Sequence, residues 1–418
     1  MKSSTPRPPL PRFNRIRITA VIALLAGACC ASADTVAAAT TTPSATTSTP
    51  PPPLVVNREA LRSALDRGVN WLLANQNSNG WWSTAEQPAV TALVLTAINR
   101  EPSGRFTRNR PSELSRAYEF ILGSAKPDGS IHRGALANYN TALSLMALST
   151  ADDPHFLPVI RNARAYLAAT QIDFGEPGKI DSPFDGGVGY GSKYQHSDMN
   201  NTLTAIEAMR WSESSLPKDV ASGTPEGKDL NWAAVARFLQ NCQNLKSHNA
   251  ADWVSEDPKD RGGFVYYPGQ SMAGGVTNAE TGRVALRSYG SISYAGLLSY
   301  AYAKVGKEDP RVVAVMDWLR SNYTLEENPG MGQQGYFYYL HLMTKALTAV
   351  GVDELKVNDA GGRSVDWRRE VASRLLSLQQ PDGSWVNQNQ RWWETDRNLV
   401  TAYVVLSLEM LHSALDKG

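Results

Sequence analysis

The chain has 418 residues, with 41 lysines and arginines against 40 aspartates and glutamates, and 42% of its residues are hydrophobic. This near-neutral balance gives no electrostatic support for nucleic-acid binding, and three cysteines in such a length exclude a disulfide scaffold. The length suits two domains or one large array of repeats.

Residues 1–33 predict an export signal. Five basic residues and no acidic ones precede the apolar run ITAVIALLAGACC, and the small residues ASA at 31–33 offer a cleavage site before Asp34. The run is shorter than the ~20 residues of a membrane-spanning helix. We therefore expect export to the periplasm or the outside of the cell. A lipid anchor on Cys29 or Cys30 is disfavoured, because the stretch AGAC lacks the leucine that usually precedes a lipidated cysteine.

Residues 34–56 are rich in Thr, Ala and Pro with almost no charge, which is typical of a linker. Removal of the signal takes five positive charges with it and changes the formal net charge from +1 to −4. Cys242 is then the only cysteine left, so no intramolecular disulfide can form.

Six helix pairs are predicted in the remaining domain, residues 57–418. The first segment of each pair is amphipathic; Leu61, Leu65 and Leu72 illustrate the helical period in the first of them. The second segment, as in AVTALVLTAI or NTALSLMAL, is apolar or small on nearly every side, which indicates a buried helix. The pattern predicts an all-α fold, an (α/α)6 toroid with an inner ring of six buried helices and an outer ring of six amphipathic ones.

One short motif occurs near each end of this domain. QNSNGWW at 76–82 and QQPDGSW at 379–385 both read Gln, three residues, Gly, one residue, Trp. The glutamine amide can bond backbone groups at a helix end, the glycine permits a left-handed turn, and the indole can cover the joint. We interpret these as fold residues. Degenerate copies are predicted at four further glycines, Gly129, Gly189, Gly263 and Gly335. Because the terminal copies are the most complete, a closed ring is favoured over an open solenoid with polar caps.

The repeated phrase resembles the QW repeats of squalene–hopene and oxidosqualene cyclases and, more broadly, the prenyltransferase and squalene oxidase repeat superfamily. The resemblance extends over essentially all of residues 58–415. It implies the α/α toroid and a central cavity. Whether it also implies an activity depends on which residues lie at that cavity.

The resemblance also locates a candidate acid motif just before the third buried segment. Squalene–hopene cyclases carry Asp, any residue, Asp, Asp, Thr there, and the middle aspartate protonates the isoprenoid. This sequence reads Asp198, Met, Asn200, Asn201, Thr202. An amide cannot protonate an alkene, so we expect the usual acid to be missing. Asp198 is favoured as a helix cap, and the remaining catalytic candidates are Asp198, Glu394 and Asp396.

Protein prenyltransferase β subunits hold zinc through an Asp, a Cys two residues away and a distant His. The comparable stretches here, 287–296 and 394–403, contain neither Cys nor His, and Val400 stands near the place of the histidine. Because zinc prefers thiolate and imidazole ligands, we predict no metal and no cofactor. Glu394 and Asp396 are then interpreted as a solvated helix start.

Aromatic and amide side chains are concentrated where loops lead into the buried helices. For any single ring, core packing is the favoured explanation, but together the rings indicate an apolar cavity rimmed by hydroxyl groups. The predicted cavity residues are Tyr139, Asn140, Tyr194, Asn200, Asn201, Tyr289, Tyr294, Tyr336, Tyr338, Trp392 and Trp393.

Three functional classes follow. The preferred one is a binding protein for an apolar small molecule, isoprenoid or lipid-like, without chemistry; peripheral membrane contact is compatible with it. The second is an enzyme, either a terpenoid cyclase or transferase, or a glycan-cleaving enzyme that would need two carboxylates about 5–9.5 Å apart. The candidates for that pair are Asp185, Asp198, Glu394 and Asp396. The third is an interaction scaffold similar to the toroidal thioester domains of complement-like proteins. Its covalent version is excluded, because Cys242 lies in QNCQN and not in Cys-Gly-Glu-Gln.

Overall fold

Thirteen α-helices and two short β-hairpins form in residues 56–191, 196–216, 229–358 and 361–414, the part of the chain that the computed structural model describes. The predicted export signal, almost all of the predicted linker, and Tyr194 lie outside these residues. None of the described helices is long and apolar enough to cross a membrane.

The helices alternate between an outer and an inner set. The outer helices are α1 (Arg58–Ala74), α4 (Ser112–Leu122), α6 (Leu157–Ala169), α8 (Trp232–Asn241), α10 (Pro310–Ser321) and α12 (Trp367–Ser377). The inner helices are α2 (Pro88–Asn99), α5 (Ala137–Thr150), α7 (Met199–Glu213), α9 (Gly290–Tyr302), α11 (Tyr336–Ala349) and α13 (Arg397–Ala414). The single turn α3 (Arg105–Arg108) and two 3-10 turns, Pro154–Phe156 and Arg391–Trp393, lie in connections.

Two antiparallel hairpins lie in the connections between helices. Strand β1 (Gly275–Thr277) pairs with β2 (Val284–Leu286), with Val276 opposite Ala285. Strand β3 (Leu355–Lys356) pairs with β4 (Ser364–Val365).

The inner helices form a closed ring. Each packs against the next, from α2 through α5, α7, α9 and α11 to α13, and α13 packs against α2. Every residue of α2 is buried, whereas α1 buries only one face. This difference follows from the sequence, since a helix surrounded by others must be apolar or small all round. The predicted (α/α)6 toroid is confirmed.

The motif at 76–82 joins one repeat to the next. The Gln76 side-chain amide donates to the carbonyls of Gly80, at 3.0 Å, and of Glu113 in α4, at 2.7 Å. The Trp82 indole N–H donates to the carbonyl of Leu72 at the end of α1, 2.7 Å away. Gly80 has a φ of 94° and lies so close to the α4 backbone that a Cβ atom would be 2.5 Å from a carbonyl oxygen. The motif therefore ends one outer helix and attaches it to the following one.

The second copy closes the ring. The Gln379 amide donates to the carbonyls of Gly383 and of Ala64 in α1, both at 2.9 Å. The ring of Trp385 lies against Gly68 of α1, where a Cβ atom would be 2.9 Å from the indole. The last repeat is thereby held against the first.

Two of the degenerate copies lie at other glycines than the sequence predicts. In the third repeat Gln171 donates to the Gly186 carbonyl at 2.8 Å, and in the fourth Gln243 donates to the Gly262 carbonyl at 2.9 Å. Both glycines have left-handed φ values, 88° and 96°. The prediction of Gly189 and Gly263 is wrong in position because loop insertions separate each glutamine from its glycine, which hides the motif spacing.

A hydroxyl group fixes the start of five inner helices. In each case the backbone N–H two residues after the turn glycine donates to a buried Thr or Ser near the start of the inner helix. The pairs are Trp82 with Thr91, Ile131 with Thr141, Val188 with Thr202, Phe264 with Ser293 and Trp385 with Thr401, at 2.8–3.1 Å. Thr202, the last residue of the candidate acid motif, therefore belongs to this repeated structural contact.

Candidate functional site

A cavity of about 60 Å³ is lined by five of the six inner helices, α2, α5, α7, α11 and α13. Its middle is apolar and is lined by Leu93, Leu143, Met146, Leu203, Leu342 and Leu406. Its N-terminal end, toward the starts of the inner helices, consists of Tyr139, Asn200, Tyr338 and Tyr403. Its C-terminal end consists of Arg100, Glu207, Trp211 and Lys345. Residues near the starts of the inner helices line one end of the cavity, and residues near their C-terminal ends line the other. The inner helices therefore run parallel to one another around this axial cavity.

Neutral hydroxyl and amide groups form the N-terminal end. The Tyr338 hydroxyl donates to the Asn200 side-chain carbonyl. The rings of Tyr338 and Tyr403 lie 5.5 Å apart, and His341 stacks on Tyr403 at 5.2 Å. Burial raises the pKa values of Tyr139, Tyr338 and Tyr403, so their hydroxyls stay protonated. This end can exchange hydrogen bonds with a ligand but carries no charge.

His341 lies deeper on the same face of α11. Its Nδ1 is 3.0 Å from the Ser407 hydroxyl, and only 4% of the residue is exposed. Burial lowers the pKa of His341 well below 6.5, with Lys345 contributing in the same direction. The imidazole is therefore neutral.

Asp198 caps α7 and is not part of the cavity lining. One carboxyl oxygen accepts the Asn201 backbone N–H at 2.9 Å and the other accepts the Asn201 amide at 2.8 Å. Complete burial raises the pKa of Asp198 to about 6, against the lowering effect of these hydrogen bonds and of a further one with Tyr266. The carboxyl group is thus occupied by the helix start.

Glu394 caps a helix to which it does not belong. Its carboxyl oxygens accept the backbone N–H groups of Phe337 and Tyr338 at the start of α11, at 3.3 and 2.7 Å, and the Asn387 amide at 2.6 Å. Burial raises the pKa of Glu394 to about 7. The residue is 1% exposed, so the predicted solvated helix start is wrong for Glu394.

The other two candidate carboxylates also bind backbone. Asp396 accepts the N–H groups of Asn398 and Leu399 at 2.9 and 3.2 Å and is partly exposed at the start of α13. Asp185 accepts three N–H groups of its own loop at 2.7–3.0 Å. None of the four candidates lines the axial cavity.

Of the predicted cavity residues, Tyr139, Asn200 and Tyr338 line the axial cavity. Asn140 and Asn201 lie one residue further along their helices and bind backbone groups or Asp198. The remaining tyrosines pack in the core and are Tyr289, Tyr294 and Tyr336.

Trp392 and Trp393 lie in the loop before α13. Both have left-handed backbone conformations, with φ values of 55° and 65°, which is unusual for bulky residues. Trp392 is 38% exposed and its ring covers Gly335, while Trp393 packs against the core. Neither tryptophan lines the axial cavity.

A charge pair stands at the C-terminal end. Lys345 Nζ is 2.5 Å from one Glu207 carboxylate oxygen, and the Tyr302 hydroxyl donates to the other at 3.0 Å. The Glu207 side chain is only 3% exposed and that of Lys345 14%. Beside this pair the Arg100 guanidinium lies 4.7 Å from the centre of the Trp211 ring.

Sequence reasoning missed every residue of the C-terminal end. The signal was present as single charges inside helices that are otherwise buried, Glu207 in NTLTAIEAM and Lys345 in YLHLMTKAL. A charge that a helix cannot expose must find a partner, and such positions are frequent at functional sites.

The described residues contain no group of three or more His, Cys, Asp or Glu side chains that could hold a metal ion. The absence of a metal or cofactor remains a prediction, since Tyr194 and its neighbours, among others, lie outside the described part.

Comparison with known proteins identifies the fold. No protein-family model and no curated protein sequence matches the chain. A family 76 glycoside hydrolase (mannosidase), Bt3792 from Bacteroides thetaiotaomicron, is similar in structure with 11% identity and a TM-score of 0.50, over 85% of this chain and 99% of that one. The type II terpene cyclase MstE from Scytonema matches with 14% identity and a TM-score of 0.49, over 86% and 99%. At 11% identity the likeness to the mannosidase concerns the α/α toroid fold alone.

Proposed function

We propose that the protein binds an apolar small molecule, isoprenoid or lipid-like, in the axial cavity. The observation that carries the proposal is the lining itself: leucines and a methionine between two ends that bear hydrogen-bonding or charged groups. Such a lining favours an apolar body and orients it through a few polar contacts.

The size of the cavity restricts the ligand. Because about 10–15 Å³ is needed to hold one water molecule, a cavity of about 60 Å³ holds only a few. A folded polyprenyl chain does not fit without large rearrangement of the packed ring. A single narrow alkyl or prenyl chain fits such a cavity better.

Binding is favoured over catalysis because the candidate carboxyl groups are already engaged in hydrogen bonds or an ion pair. Acid-initiated cyclisation needs a carboxylic acid directed at the substrate. Asp198 and Glu394 instead hold helix starts, and Asn200 occupies the cavity position next to Asp198. Glu207 does line the cavity, but it is paired with Lys345.

Export is part of the proposal and is supported by the sequence of residues 1–33 alone. Sequencing the N-terminus of the mature protein should give Asp34 or a close neighbour. A retained apolar run would contradict export, and an acylated Cys29 or Cys30 would replace a released protein by a lipid-anchored one.

The binding proposal is tested by isothermal titration with 1-octanol and geraniol, with analysis of the recovered ligand. We expect both to bind and to be returned unchanged. Leu143→Phe, which fills the cavity, should weaken binding about tenfold or more, while the control Leu376→Phe on the outer helix α12 should not. Equal binding to the two variants would place the ligand elsewhere. Cyclised product from geraniol would show that another group supplies the acid.

A further inference from the structure

A second buried carboxyl group lies beside the C-terminal end of the axial cavity. Glu409 of α13 is 3% exposed and precedes Met410, which lines the cavity. Neither of its carboxyl oxygens accepts a hydrogen bond from any described residue. The nearest cation is Arg100, whose Nε is 3.7 Å from one oxygen, beyond hydrogen-bond distance. A buried carboxyl left without hydrogen bonds is costly, so this group lacks a partner that would suit it.

Arg100 occupies the place that such a partner would take. Its guanidinium lies over the face of Trp211 at 4.7 Å and next to Glu409. An aromatic face together with a carboxyl group is the arrangement by which proteins hold organic cations. The Arg100 side chain is 36% exposed, so it has solvent beside it into which it can turn.

The surrounding charges favour a cation over an anion. The inner helices present their C-terminal ends here, and these carry partial negative charge. Burial raises the pKa of Glu409 well above its usual range; Arg100 lowers it, and Glu101 lies close enough to raise it further. The positive charge of Lys345 is neutralised by Glu207 at 2.5 Å. An anion bound to Arg100 would therefore lie against Glu409 and the helix ends without compensation.

We propose that the C-terminal end of the axial cavity binds the ammonium group of an alkyl- or prenylammonium ligand, between Glu409 and Trp211, in the place that Arg100 occupies in the free protein. The inference rests on the proposed function, because the apolar chain of the ligand extends into the axial cavity. The ammonium group donates hydrogen bonds to the two carboxyl oxygens of Glu409. The Arg100 side chain, which the ligand displaces, turns toward solvent.

Three eight-carbon probes of different charge test this assignment by isothermal titration at 0.15 M salt. We expect octylammonium to bind about tenfold or more tightly than 1-octanol, and octanoate to bind more weakly than 1-octanol. If 1-octanol binds but octylammonium binds no better, the ammonium site is wrong while the apolar cavity stands. If none of the three binds, both proposals are wrong.

Two substitutions give opposite expectations. Glu409→Gln should weaken octylammonium binding about tenfold and leave 1-octanol unchanged, whereas Arg100→Gln should strengthen octylammonium binding several-fold by removing the competing cation. The matched controls are Glu176→Gln, whose side chain is 63% exposed, and Arg320→Gln, at 37%. Loss of octylammonium binding in Arg100→Gln, or tighter octanoate binding to the wild type, would overturn the inference. Arg100→Gln decides the matter even if Glu409→Gln does not fold.

Discussion

The two ends of the axial cavity use their polar groups differently. Around the N-terminal end, Asp198 and Glu394 bind backbone N–H groups, and Thr202 accepts one as well. At the C-terminal end, the hydrogen-bond partners of Glu207 among the described residues are the side chains of Lys345 and Tyr302.

This difference distinguishes polar side chains that bond backbone groups at helix starts from polar side chains that do not. A helix start leaves N–H groups unpaired, and buried starts need acceptors. The polar residues near the N-terminal end meet that need, which explains why Asp198 is found there without being a free acid. Within the described part of the chain, the charged side chains of the C-terminal end bond no backbone group, and this observation supports the proposal of a ligand site there.

The largest expected effect is at the charge pair. Lys345→Met should destabilise the protein by about 3–5 kcal/mol, because Glu207 would remain buried without its counter-ion. The free energy of unfolding from urea titration measures this. The double variant Glu207→Leu, Lys345→Met should recover most of the loss. A single variant as stable as the wild type would show that the pair is not buried as described.

A pH-dependent effect is expected at the opposite end. Burial raises the pKa of Glu394 from its usual 4.5 to about 7 in the folded protein. The folded state then binds the proton more tightly than the unfolded state. The contribution of protonated Glu394 to the free energy of unfolding is therefore full below pH 4.5 and is lost as pH rises through 7. The shift corresponds to roughly 3 kcal/mol.

The variant Glu394→Gln isolates this contribution from that of Asp198, whose pKa is raised in the same direction. The difference in unfolding free energy between wild type and variant should fall by about 3 kcal/mol between pH 4.5 and pH 8. Parallel pH profiles would show that the backbone hydrogen bonds to Glu394 outweigh its burial.

The smallest expected effect is at the repeated hydroxyl contact. Thr202→Val should cost about 1–3 kcal/mol, because the buried N–H of Val188 loses its acceptor at 2.9 Å. Thr204→Val is the matched control on the same helix, since its hydroxyl bonds only the carbonyl one turn earlier, at 2.8 Å. Thermal denaturation compares the two variants. Equal losses would mean that the contact does not fix the helix start.

Sequence reasoning reached the fold through local patterns. Apolar periodicity separated half-buried from fully buried helices, and the copies at Gly80 and Gly383 identified the ring closure. The same reasoning misplaced the third and fourth turn glycines, because insertions of variable length separate Gln171 from Gly186 and Gln243 from Gly262. The spacing between the glutamine and the glycine identifies the motif only where no loop insertion separates the two residues.

Sequence analysis predicted residues of the candidate site only at the N-terminal end of the axial cavity. Tyr139, Asn200 and Tyr338 were named from the concentration of aromatic and amide residues near helix starts, and all three line the cavity. The local sequence did predict the capping role of Asp198, which the structure confirms. It could not indicate that Glu394 was already engaged, since the acceptor role of Glu394 depends on a helix that begins 58 positions earlier, at Tyr336.

The sequence by itself determined the number of helix pairs, their order and which helix of each pair is buried, because these properties follow from residue patterns within a few turns of chain. Only the tertiary structure decided which polar side chains meet on the axis. Glu207 and Lys345 are 138 residues apart and touch only because the ring closes. Arg100 and Glu409 meet for the same reason, since the first inner helix packs against the last.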